Sequence, residues 1–97
     1  MEDLRYEWDE KKNRSNQRKH GVAFEEARTA FLDENARRVP DPDHSIDEDR
    51  YILVGLSIRL RLLVICHCYR EPERVIRIIS ARKADRSERS DYARWLP

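Results

Sequence analysis

The chain has 97 residues, 40% of them charged, with a formal net charge of +1. A single domain spanning residues 1–97 around one small core is expected at that length. The near-zero balance excludes binding to nucleic acid or membrane as a deduction from net charge, no run of 18 apolar residues offers a membrane span, and "MEDLRYEWDE" lacks the order of a signal peptide, so a soluble, cytoplasmic protein is expected.

"RYEW" reads as a short aromatic strand. Asp9 after it is placed to cap a helix through "EKKNRSNQRKH", which Gly21 stops. That helix has almost no apolar residue to bury, although burial of one face is what normally holds such a helix. "VAFEEARTAFL" sets Phe24, Ala27 and Phe31 on one helical face with Glu25 and Glu26 in the first turn, an amphipathic helix with acids at its positive end. A short extended piece at "ARRVP" and a loop at "DPDHSIDED" follow.

Apolar runs at Tyr51–Ser57, Arg61–Tyr69 and Arg74–Ala81, joined by short polar links, predict an antiparallel meander. Asp85 and Glu88 form a D-x-x-E start for a last helix through Trp95. The predicted order is βααββββα.

Charge is divided along the chain. Residues 1–49 carry nine Lys and Arg against fourteen Asp and Glu, while residues 50–97 carry eleven against five, ten of the eleven being arginine. The arginine fork suits phosphate or carboxylate, so the second half points to an anionic partner. Pairing with the acidic half of the same domain is the alternative.

Two metal patterns fail on inspection. Asp41, Asp43, Ser45, Asp47 and Asp49 occupy alternate positions of a calcium loop, but Ile46 stands where glycine is required and Ile52 where a bidentate glutamate should be. In "CHC", alternation sends His67 to the face opposite Cys66 and Cys68, and no second ligand pair exists elsewhere. The cysteines themselves would lie roughly 7 Å apart on one strand face, too far for an unstrained disulfide, and read as reduced thiols.

Leu63, Ile65, His67 and Tyr69 share one face of their strand. A histidine can move protons in RNA cleavage, where the 2′-hydroxyl is deprotonated and the leaving 5′-oxygen protonated; a hydrogen-bonded structural histidine is the alternative. Arg50, Arg77 and Arg82 are candidates to surround a scissile phosphate, each with a plain salt bridge as its alternative role. On the last helix Tyr92 follows Arg86 and Arg89, a basic face with an aromatic that either stacks on a base or docks the helix together with Trp95. By alternation Arg77 shares a side with Val75, Ile79 and Ala81, and Arg82 with Ile76, Ile78 and Ser80, so the two arginines are expected on opposite faces.

Taken in order, "YEWDEKK", Asn16, "KHGVAFEEA", "DPDH", "RYILVGLS", "RLLVICH", "RVIRIISAR" and "SERSDY" resemble the BrnT family of type II toxin-antitoxin toxins, from Tyr6 to about Tyr92. The resemblance implies an α+β, RelE-like fold, with a small antiparallel sheet and helices packed against it. It also implies RNA cleavage with no metal or other cofactor. The implied partner is a BrnA-type antitoxin, present with the toxin in two copies of each and contacting operator DNA on behalf of the complex. Carried over by residue, it gives ribonuclease roles to Arg50, His67, Arg77, Arg82 and Tyr92, with Lys19 and His20 in the helix-ending motif, without deciding which group is base and which acid; RNA contacts are expected at Lys19, His20, Lys83, Arg86 and Arg89.

Three departures from the family pattern stand out. Tyr69 in "HCYR" occupies the position of an acidic residue, Ala23 that of a helix-capping serine, and "SIRLR" lacks the usual turn glycine. The alternative function is a catalytically degenerate toxin that only holds its antitoxin, with Tyr69 as the discriminating feature. A DNA-binding regulator in its own right is disfavoured, since no helix-turn-helix or zinc-finger pattern occurs.

Overall fold

The computed structural model of the protein describes residues 4–43, 49–70 and 74–97. Five strands form one sheet: β1 (Arg5–Glu7), β2 (Arg37–Pro40), β3 (Arg50–Leu56), β4 (Leu62–Arg70) and β5 (Val75–Lys83), in the order β1-β5-β4-β3-β2. β3 to β5 form the expected antiparallel meander and β2 joins it antiparallel to β3, but β1 lies parallel beside β5, so the sheet is mixed rather than antiparallel throughout. Three helices complete the βααββββα order: α1 (Glu10–His20), α2 (Phe24–Ala27) and α3 (Arg86–Trp95). No helix among the described residues is long and apolar enough to cross a membrane.

Two amides hold α1 in place of an apolar stripe. Its ends are as expected: the Asp9 carboxylate accepts from the Lys11 and Lys12 amides, and Gly21 closes the helix at φ 69°. Pairing between β1 and β5 ends at Glu7 and Arg77, which leaves the β5 backbone open further along. There Asn16 takes the place of a neighbouring strand, donating to the Ala81 carbonyl at 2.8 Å and accepting from the Ala81 amide at 3.1 Å. Asn13, fully buried, accepts from the Phe24 amide at 2.9 Å and ties the start of α2 to α1.

The expected amphipathic helix is divided. α2 gives way after four residues to a 3₁₀ segment, Arg28–Leu32. With three residues per turn, Ala27 and Ala30 fall on the same side, and both are buried in the core with Phe24. This small-residue side lets the segment approach β3 so closely that a Cβ on Gly55 would lie 2.8 Å from the Ala30 carbonyl oxygen. Leu53, Leu63, Ile65, Ile76 and Ile78 form the sheet side of the core. α3 begins with a full capping box between Asp85 and Glu88. It is fastened by Tyr92, whose hydroxyl donates to Asp33, and by Trp95, whose indole N–H donates to the Asn35 carbonyl.

Candidate active site

The sheet face away from the core is organised by one inserted residue. Cys66 pairs with Ser80, but its neighbour His67 pairs with Ile78, so Ile79 is an extra residue on β5. Such a β-bulge reverses the alternation of side chains beyond it. The expectation that Arg77 and Arg82 point to opposite faces is therefore corrected. Arg77 lies across from Cys68, Ser80 from Cys66 and Arg82 from Val64, three β4 residues that share a face. Arg50 of β3 also lies across from Cys68. The three arginines stand on one face, and the backbones at Arg77 and Arg50 are about 10 Å apart, two strand spacings.

Carboxylates orient two of these three cations, Arg77 and Arg82. Arg77 donates to Glu7 of β1 at 2.9 Å, and Arg70 approaches the same carboxylate at 3.7 Å. Arg82 makes a bidentate pair with Glu88, both contacts at 2.8 Å, and Glu88 also takes the Asp85 amide in the capping box. The Arg82 guanidinium beside it holds the Glu88 carboxyl below its ordinary range. The start of α3 thus aims the arginine at the end of β5.

A cavity of about 250 Å³ opens on this face, lined by His20, Arg50, Cys66, Ser80 and Arg82 together with Asp41 and Asp43. A second, of about 190 Å³, is lined by Lys12 and Lys19 and shares His20, Ile79 and Ser80 with the first. Burial first, and then the Asp41 carboxylate 3.8 Å away, push the Cys66 thiol up to about 11. Both cysteines are free thiols.

The other residues expected at the site lie elsewhere. His67 is on the core face, fully buried, with Nδ1 3.1 Å from the Ile65 carbonyl and Nε2 without a hydrogen-bond partner among the described residues. It is ringed by Phe31 at 4.9 Å, Tyr69 at 5.4 Å and Tyr51 at 6.2 Å between ring centroids. Burial pulls its pKa down to about 4, which leaves the imidazole neutral at pH 7. Tyr92 is buried under α3, and burial together with the Asp33 carboxylate raises its hydroxyl to about 12. Lys83, Arg86 and Arg89 are exposed, and Arg89 donates to the Ala84 carbonyl. Of the expected set, the structure brings Arg50, Arg82, Lys19 and His20 to two cavities that share lining residues, adds Arg77 on the same face, and keeps His67 and Tyr92 apart from them.

Among the described residues, no three His, Cys, Asp or Glu side chains are grouped to hold a metal ion. Ser45, Ile46 and Asp47 of the calcium-like spacing lie outside the described residues.

A family model described as "Ribonuclease toxin, BrnT, of type II toxin-antitoxin system" matches residues 8–88. The chain belongs to the BrnT family. The fold agrees: the 1.1 Å crystal structure of the Brucella abortus ribonuclease toxin BrnT superposes with a TM-score of 0.66, covering 86% of this chain and 99% of that one at 22% identity. No curated protein sequence matches significantly. At Tyr69 the hydroxyl accepts from Arg38 at 3.0 Å, and the Arg38 guanidinium lies 4.7 Å above the Tyr51 ring and 5.3 Å above that of Tyr69. Sequence reading of this BrnT toxin missed Glu88 and Glu7 as the groups that position the arginines. An acid sharing a capping box with a strand-end arginine nearby was the available signal for the first; a strand pairing register, which no single sequence prints, was needed for the second.

Proposed function

We propose that this BrnT-family toxin is an endoribonuclease that cleaves RNA without a metal ion, inhibits translation in the cytoplasm, and is neutralised by a BrnA-type antitoxin that supplies the operator-DNA contacts of a complex with two copies of each. The observation that carries the reading is the bulge at Ile79, which gathers Arg50, Arg77 and Arg82 on one face beside a cavity. Three cations set by sheet register, two of them also held by carboxylate partners, suit a phosphate whose charge grows in the transition state. His67 and Tyr92 act here as positioning residues. His67 sets the packing of β3, β4 and the 3₁₀ segment from the opposite face, and Tyr92 fastens the helix whose Glu88 orients Arg82.

The test is cleavage of a defined RNA in excess chelator. Wild type should cut, and Arg50→Ala and Arg82→Ala should each slow cutting by about 10²-fold or more, the range for loss of one preorganised donor. Full activity in both variants, or an absolute need for added metal, would sink the proposal.

Tyr69 supports a second reading, an inert toxin that serves only to hold its antitoxin. Instead of presenting a carboxylate, it packs edge-to-face with Tyr51 and accepts from Arg38. Growth on expression without antitoxin separates the two: an active ribonuclease arrests growth, and an inert module leaves it unchanged.

A further inference from the structure

We infer that His20 is the general base of the arginine-lined cavity, the group that takes the proton from the attacking 2′-hydroxyl of RNA. The inference rests on the ribonuclease reading above and deepens it. Cleavage beside bound arginines needs a group that accepts a proton near neutral pH and touches the substrate. His67 meets neither demand, since it is fully buried on the other face of the sheet. Tyr92 is held under α3 by Asp33, and Cys66 is half-buried with its thiol directed to Asp41. His20 alone among the described imidazoles lines the cavity that also holds Arg50 and Arg82, and it belongs to the adjoining cavity as well.

Its placement follows from local structure. His20 is the last residue of α1, and Asn16 one turn earlier is bonded to Ala81 of β5, the residue preceding Arg82. The imidazole is thereby referenced to the same strand as the phosphate-binding arginine. The charged and titratable groups around it are Lys12 and Lys19 on its own helix, Asp41 and Asp43 after β2, Arg50 on β3, Cys66 on β4 and Arg82 on β5.

In the step assigned, the 2′-oxygen loses its proton to His20 and forms a bond to phosphorus while the bond from phosphorus to the 5′-oxygen breaks. The products are a 2′,3′-cyclic phosphate and a 5′-hydroxyl, with the leaving oxygen protonated by the imidazolium or by water.

The experiment uses a short oligoribonucleotide, its analogue with a 2′-deoxy residue at the cut site, and wild type, His20→Ala and His20→Gln in chelator. Both variants should cut about 10²- to 10⁴-fold more slowly, the range for loss of a general base. They should bind the deoxy analogue within a few-fold of wild type, which also reports that they are folded. Added imidazole should restore part of the His20→Ala rate, increasingly so as pH rises through the titration of free imidazole. Cleavage by both variants at the wild-type rate would overturn the assignment, as would a loss of rate matched by an equal loss of affinity. Wild type inert toward all RNA would overturn the ribonuclease reading itself, whereas an active wild type beside active His20 variants removes the base alone.

Discussion

Leu60 holds φ at 62°, the left-handed region in which a side chain clashes with its own backbone. The turn requires it. Leu60 donates its amide to the Ser57 carbonyl and Ser57 its amide to Arg61, the three-residue hairpin loop whose last position is usually glycine. Leu60 is 78% exposed, so its side chain contributes almost no burial in return. Leu60→Gly should therefore stabilise the protein by about 0.5–1 kcal/mol, the relief of left-handed strain less the backbone entropy of glycine. A urea midpoint equal to or below that of wild type would refute this. This residue was legible in the sequence, because the turn was placed correctly and its missing glycine was visible. The state of His67 was not, because a pattern gives the face of a residue and not the depth of its burial. With the folded pKa near 4 against about 6.5 unfolded, the unfolded chain takes up a proton that the native imidazole refuses. Its contribution is complete above pH 6.5 and is lost as pH falls toward 4, a loss of about 3 kcal/mol. Denaturation at pH 7.5 and 4.5 should show a smaller acid loss in His67→Phe than in wild type; equal losses would mean that the imidazole is solvated.

At the scale of elements, α1 shows how a helix without apolar residues is held. Asparagine is a poor interior helix residue because its amide competes for backbone groups, and here that same capacity is used across elements. Asn16 satisfies both backbone groups of Ala81 and donates to the Val22 carbonyl at 2.8 Å. Asn16→Ala should cost about 2–4 kcal/mol, because it leaves more than one buried backbone group unpaired. Asn16→Asp, which keeps the acceptor for the Ala81 amide but cannot donate to either carbonyl, should also be destabilised. Thermal unfolding of the two variants checks this, and a loss below about 0.5 kcal/mol in both would mean that water replaces the amide. Two asparagines at i and i+3 were a readable hint that this face is polar yet packed. The bulge at Ile79 left no such trace. "RVIRIISAR" is uninterrupted in strand propensity, and an extra residue within it alters no composition; only the pairing of Cys66 with Ser80 and His67 with Ile78 exposes it. The face of each arginine, and with it the shape of the site, was hidden by that one residue.

The division of charge along the chain becomes, in the folded molecule, a partial neutralisation. Glu26 of the acidic half binds Arg61 through Nε at 2.9 Å, and Glu7 binds Arg77, so early acids orient late arginines. Guanidinium and serine hydroxyl together keep the Glu26 carboxyl well below its ordinary range. Of the two explanations that the charge pattern left open, intramolecular pairing is present at these sites. Local pairing does not remove the field of the Arg50, Arg77 and Arg82 face, because the Arg77 and Arg82 guanidiniums retain donors beyond those that Glu7 and Glu88 engage. Binding of single-stranded RNA there should release about 0.7 counterions per phosphate contacted, so three contacts predict a slope of about −2 in log K against log salt. Between 50 and 200 mM salt the affinity for a cleavage-resistant 2′-deoxy-substituted RNA should fall by about 20-fold. Arg50→Ala should make that slope shallower by about 0.7, whereas Arg61→Ala, which removes a cation committed to Glu26, should leave it unchanged. Fluorescence anisotropy across a salt series measures all three proteins. A slope near zero would show that RNA is not held through phosphates on this face, and an equal change in both variants would show that the field of the whole molecule, rather than the three gathered arginines, does the holding.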